Sequence, residues 1–124
     1  MAFFRQNRKL PIGKRAEQIA EKYLTKRGLK IHQRNYRCRF GEVDLIMSDK
    51  DGTIVFVEVR SRHAGAQVSA CESISRQKIA KIRKTAATYL TKFEEMPNCR
   101  FDVIAMTHNL NYSDYTVNWI SNAF

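Results

Sequence analysis

Asp44 and Glu58 are the pair of residues in this chain best suited to holding a divalent cation between them. Asp44 lies in GEVDLIMS and Glu58 in IVFVEVRSRH, two runs of alternating residues on either side of Lys50-Asp51-Gly52. A three-residue loop with Gly52 in the left-handed region would place Asp49 opposite Thr53. That register pairs Val43 with Val59, Leu45 with Val57 and Met47 with Val55 on one face. The other face pairs Ile46 with Phe56, Asp44 with Glu58 and Glu42 with Arg60. Both faces are apolar near the turn, the pattern of strands buried on two sides, and carboxylates replace apolar residues at the far end. Two directly opposed carboxylates, with Cβ atoms about 5 Å apart, destabilise a sheet. A raised pKa, a basic neighbour or a bound cation must offset that repulsion. Mg²⁺ takes one or two carboxylates together with waters and phosphate oxygens, which fits this pair. Arg60 projects from the same face about 6 to 7 Å beyond Glu58. The alternative is structural: Glu42 and Arg60 form a cross-strand ion pair, and Asp44 and Glu58 lie at a wet end of the sheet.

The elements that must position these residues follow from periodicity. From Gly13 to Gly28, Ala16, Ile19, Ala20, Tyr23 and Leu24 follow the spacing of an amphipathic helix, and Gly28 sits where a helix favours a terminal glycine. Glu17 lies beside that apolar stripe, where a helix acid ordinarily pairs with a lysine such as Lys14. Residues 30–38 read as a strand, 42–47 and 54–60 as the hairpin, and 62–73 as a loop containing Gly65. A second helix begins at Ser75, with Ile79, Ile82, Ala86, Tyr89, Leu90 and Phe93 on one side and basic residues over much of the rest. Phe101–Met106 and Tyr115–Ile120 complete the set as strands. The predicted order is αβββαββ in one α/β domain over 13–124, preceded by a mobile basic arm, 1–12.

Composition narrows the partner. The 124 residues include 22 Lys and Arg against 12 Asp and Glu, a net charge of +10, so a polyanion leads the list of partners. The charge is divided: residues 1–40 and 73–93 are strongly basic, while 41–72 and 94–124 are net acidic. A protein that only coats phosphates has little use for carboxylates between basic segments, whereas an enzyme holding a metal against phosphate needs them. A hydrophobic content of 44% excludes wholesale disorder. No apolar run approaches the roughly 18 to 20 residues of a membrane span, and the basic N-terminus lacks an apolar signal core. Cys38, Cys71 and Cys99 are odd in number and form no CxxC pair, which argues against zinc and disulfides and fits a cytoplasmic location. His32, His63 and His108 are scattered, and Asp102 reads as an acceptor for backbone or helix-end donors. There is no Walker loop, dinucleotide fingerprint or aromatic platform for reading single strands.

The runs GKRAEQIAEKYL (13–24), GEVDLI (41–46), VFVEVRSR (55–62) and RFDVIA (100–105), with Lys78 in the second helix, resemble the YraN-like family of small bacterial proteins described as uncharacterised or predicted nucleases. The resemblance covers roughly residues 10–120 in one order. The wider motif is similar to the PD-(D/E)XK superfamily, which includes archaeal Holliday junction resolvases. It implies a restriction-endonuclease-like (tRNA-endonuclease-like) fold, a mixed central sheet flanked by helices. It also implies that Asp44 is the motif aspartate, Glu58 the motif acid, Arg60 the occupant of the motif lysine position and Glu17 the helix acid. Two departures stand out: Arg60 replaces lysine, and Ala16 replaces a frequent glycine. Arginine stays protonated, so Arg60 could stabilise charge or orient water but could not act as a general base.

Together these readings predict a metal-dependent endonuclease acting on structured or branched DNA. Asp44, Glu58 and the Val59 carbonyl would hold Mg²⁺ or Mn²⁺, with Arg60 and Glu17 also catalytic. Lys14, Arg15, Arg34, Arg37, Arg39, Arg62, Arg76, Lys78 and Lys81 would contact nucleic acid. No membrane is expected as a partner, and the symmetry of a branched substrate makes a homodimer useful. The competing expectation is a nucleic-acid-binding module that keeps the fold without turnover and acts with a partner protein.

Overall fold

The computed structural model describes residues 2–5, 12–65, 74–109 and 114–124. Its elements in chain order are β1 (Ala2–Arg5), α1 (Ile12–Lys26), β2 (Lys30–Cys38), β3 (Gly41–Ser48), β4 (Ile54–His63), α2 (Arg76–Leu90), β5 (Cys99–His108) and β6 (Asp114–Ile120). The predicted αβββαββ order is present, and one strand precedes it. Residues 2–5 pair antiparallel with β6, so the start of the expected mobile arm is an edge strand; residues 6–11 lie outside those described. β4 continues to His63, two residues into the expected loop. The rest of that loop from residue 66, with Cys71, is also outside the described residues.

The sheet has the order β1-β6-β5-β4-β3-β2. Only β4 and β5 run parallel, joined through α2, and the other neighbours are antiparallel, which makes the sheet mixed. α1 covers one face, packing Ala16, Ile19, Ala20, Tyr23 and Leu24 against Leu45, Met47, Val55, Val57, Ile104 and Met106. α2 covers the other, where Ile82, Ala86, Tyr89 and Leu90 meet Val43, Ile46, Ile54 and Phe56. This is the α/β architecture, a mixed sheet flanked by helices, that the resemblance implies. Ser75 opens α2 from an extended conformation and accepts from Lys78 N, satisfying one of the helix's unpaired donors.

Two glycines set the local geometry. Gly52, at φ +85°, closes the hairpin loop in the left-handed region as predicted, and Leu45–Val57, Ile46–Phe56 and Met47–Val55 pair in the expected register. Gly41, at φ +150°, turns β2 into β3 hard against α2, where an added Cβ would lie 3.4 Å from Thr85 Oγ1.

Val43 departs from the expectation. It was to share a face with Leu45 and Met47, yet it packs in the core on the α2 side while they pack on the α1 side. Its β2 partner Tyr36 joins it there, whereas Leu45's partner, Arg34, bonds Glu21 on α1. The two-residue alternation therefore breaks at Asp44 on β3 and at Asn35 on β2, and Asn35 has a left-handed backbone, φ 52°.

Candidate active site

The site forms where β3 and β4 leave their shared ladder. The pairing runs from Ser48–Ile54 to Leu45–Val57. Beyond it the Asp44 side chain takes over, its Oδ2 accepting from Val59 N at 2.8 Å. Asp44 is thereby fixed against the main chain of β4, beside Glu58. Glu58 is not at a wet sheet end: it is 4% exposed. Nor does Glu42 pair with Arg60, because Glu42 meets Arg37 of β2 at 3.4 Å and Arg60 turns to Glu58.

The carboxyls of Glu58 and Asp44 are hydrogen-bonded to each other. Burial first, and then the negative charge of Asp44, push the Glu58 pKa up from 4.5 to about 8, so at neutral pH Glu58 keeps its proton and donates it to Asp44. Two cations oppose this shift from one oxygen: Arg60 Nη2 at 3.4 Å and Lys78 Nζ at 3.7 Å from Glu58 Oε2. Both contacts are long for charge-assisted hydrogen bonds, which is why burial and Asp44 prevail. Arg60 Nε and Ser61 Oγ are buried without a partner among the described residues.

Glu17 of α1 faces the same space. Burial and then the Asp44 charge raise its pKa, partly offset by Lys14 and by a hydrogen bond from the Asn35 side chain. Its expected lysine partner is present, Lys14 Nζ lying 3.7 Å from Oε1. A cleft of about 290 Å³ brings together Glu17, Asp44, Glu58, Val59, Arg60, Arg62 and Lys78. Among the described residues no group of three or more His, Cys, Asp or Glu forms a ready metal cage, so any cation here would rest on fewer side chains with main-chain or solvent oxygens.

The predicted nucleic-acid residues divide. Lys78 and Arg62 line the cleft, whereas Lys14 contacts Glu17 without lining it. Arg15 is half-buried on α1. Arg34 is held by both Glu21 oxygens at 2.6 Å, and Arg37 by Glu42, outside the cleft. Arg39 covers the Phe40 ring at 4.8 Å, and Arg76 and Lys81 are exposed on α2. Asp102 is a structural acceptor, as read: fully buried, it takes Trp119 Nε1 and Asn122 N, each at 2.9 Å, and Arg100 Nε at 3.1 Å. His63 is exposed on β4 beside His108 of β5 rather than in the cleft lining.

Sequence reasoning missed Asn35. The available signal was an asparagine, a turn former tolerant of the left-handed region, inside an otherwise strand-like run.

Comparison with known proteins finds close relatives along most of the chain. A protein from Nitrosococcus oceani is 42% identical over 114 residues, covering 90% of both chains. One from Psychromonas ingrahamii is 46% identical over 109 residues, covering 88% of this chain and 85% of its own. Both carry the family name UPF0102. Among solved structures, a repair endonuclease from Pyrococcus abyssi overlaps at a TM-score of 0.38 with 24% identity, over 69% of this chain and 34% of that one. Pyrococcus furiosus SfsA in complex with Ca²⁺ overlaps at 0.40 with 16% identity, over 89% of this chain and 62% of that one. This chain thus spans about a third of the first structure and under two thirds of the second. The family model described as uncharacterised protein family UPF0102, the YraN family, matches residues 16–106, and the chain belongs to that family.

Proposed function

We propose that this chain is a metal-dependent endonuclease that hydrolyses phosphodiesters in structured or branched DNA. The observation that carries the reading is the buried Glu58 carboxyl, hydrogen-bonded to the half-buried Asp44, with Arg60 and Lys78 converging on it. Glu58 and Asp44 bring two carboxyls into hydrogen-bond contact in the cleft, where a divalent cation could take the place of the proton between them. That donor set fits Mg²⁺ or Mn²⁺, which keep several waters and need only one or two carboxylates. Asp44, Glu58 and the Val59 carbonyl would hold the ion, which when bound polarises the phosphodiester and acidifies water. The chain's own residues do the rest. Arg60, permanently charged and lining the cleft, stabilises the negative charge that develops on the phosphate. Lys78 and Arg62 bind the incoming phosphate as positive charges at the cleft. Glu17 orients a water. No element among the described residues is shaped to read base edges, so recognition rests on phosphate and shape.

Arg60 is also the observation favouring the second reading, a binding module without turnover, since it supplies no general base where lysine could. One experiment separates them: a panel of labelled duplex, flap and four-way-junction DNAs incubated with Mg²⁺ or Mn²⁺, with Asp44→Asn prepared in parallel. Metal-dependent cleavage lost in Asp44→Asn supports the enzyme. Binding without cleavage, unchanged or tighter in the variant, supports the module and sinks the catalytic reading.

A further inference from the structure

Arg34 and Asn35 are successive residues of β2, yet both reach α1: Arg34 bonds Glu21 and Asn35 bonds Glu17, two acids one helical turn apart. In regular strand geometry successive side chains point to opposite faces of the sheet. Here they do not, because Asn35 adopts φ 52° at the point where β2 and β3 both switch faces. Non-glycine residues held in this region persist where the surrounding structure imposes it, and such positions cluster at functional sites. The Asn35 amide N–H donates to the Glu17 carboxylate, while Oδ1 is buried with no partner among the described residues. Lys14, the other group on Glu17, is at 3.7 Å and half exposed, too distant to fix the carboxylate.

We infer that Asn35 is a positioning residue for the hydrolysis proposed above: its left-handed backbone delivers the amide to Glu17, whose carboxylate it aims into the cleft beside Asp44. The inference rests on the endonuclease reading. Asn35 itself does not line the cleft, so it acts through Glu17.

Asn35→Gly tests this with little backbone penalty, because glycine adopts the left-handed region readily and lacks only the amide. Asn35→Asp keeps the side-chain shape but sets a carboxylate against Glu17. Wild type, both variants, Glu17→Gln and the Asn35→Gly/Glu17→Gln double variant are compared. Cleavage in Mg²⁺ gives kcat and KM, calorimetry gives Mn²⁺ binding, and thermal unfolding monitors the fold. We expect Asn35→Gly to lower kcat roughly 10- to 100-fold with KM for DNA little changed and unfolding near wild type. Asn35→Asp should lower it at least as far, and the double variant no further than Glu17→Gln alone, as for two residues acting through one carboxylate. Wild-type kcat in Asn35→Gly, a loss carried by KM alone, or losses that multiply in the double variant would overturn the positioning role while leaving the nuclease intact. Wild-type protein that neither binds Mn²⁺ nor cleaves any substrate overturns the endonuclease reading and this inference with it.

Discussion

Glu58 carries an unusual electrostatic load for a single residue. Its carboxyl titrates near 8 in the folded protein against an ordinary 4.5, because burial and Asp44 disfavour its charge. The folded state therefore binds a proton that the unfolded chain releases between those two values. The sign follows from linkage: the contribution to stability is fully present below about pH 4.5 and is lost as pH rises through about 8. Glu17, raised in the same direction, adds to the trend. Glu58→Gln removes the titration while keeping an N–H donor toward Asp44. In EDTA the variant should match wild type near pH 4 and exceed it at pH 9 by on the order of a few kcal/mol. Urea unfolding across that range checks this, and a variant less stable than wild type at pH 9 contradicts it. The sequence reading reached the Asp44–Glu58 pair because opposed carboxylates are visible once a hairpin register is drawn. It could not reach the direction Arg60 takes, since Glu42 and Glu58 are both within its reach and only burial decides between them.

At the scale of elements, legibility depended on how local each contact is. The hairpin and both helices were readable because period-two and period-3.6 patterns and Gly52 are local signals. β1 was not, because its four residues pair with β6 at the other end of the chain, a contact no local pattern encodes. Nor was the switch of faces at Val43, because alternation alone assumes a regular strand, and the irregular residue is Asn35 on the neighbouring one. Away from the cleft, a buried acceptor ties the elements together. Asp102 on β5 joins Trp119 of β6, the main chain at Asn122 and Arg100, and Arg100 reaches Asp49 in the β3–β4 turn at 3.0 Å. Asp102→Ala strands several of these donors at a fully buried position and leaves Arg100 with Asp49 alone, so it should cost about 3 to 5 kcal/mol. Chemical denaturation measures the loss, and a cost under about 1 kcal/mol would show that water replaces the carboxylate.

At the scale of the whole molecule, a net charge of +10 overstates what is offered to phosphate, because the fold has already neutralised part of it. Arg34 is fastened to Glu21 and Arg37 to Glu42, and Lys14 faces Glu17. Arg76 and Lys81 are exposed on α2, with no carboxylate within salt-bridge distance among the described residues. Phosphate contacts release counterions, so each one lost reduces the slope of log affinity against log salt by about 0.9 on duplex DNA. The Arg76→Ala/Lys81→Ala double variant should therefore flatten that slope by about 2, whereas Arg34→Ala should leave it nearly unchanged, since its charge is already balanced in the free protein. Fluorescence anisotropy of labelled duplex DNA in EDTA, from about 50 to 200 mM NaCl, reads both slopes without cleavage. The order of the two effects decides the point. A larger change for Arg34→Ala would mean that DNA breaks the Arg34–Glu21 pair and that the binding face runs along α1 and β2. The predicted order places it on α2, beside the Lys78 that reaches Glu58, so that the surface holding the backbone leads directly into the carboxylate pair.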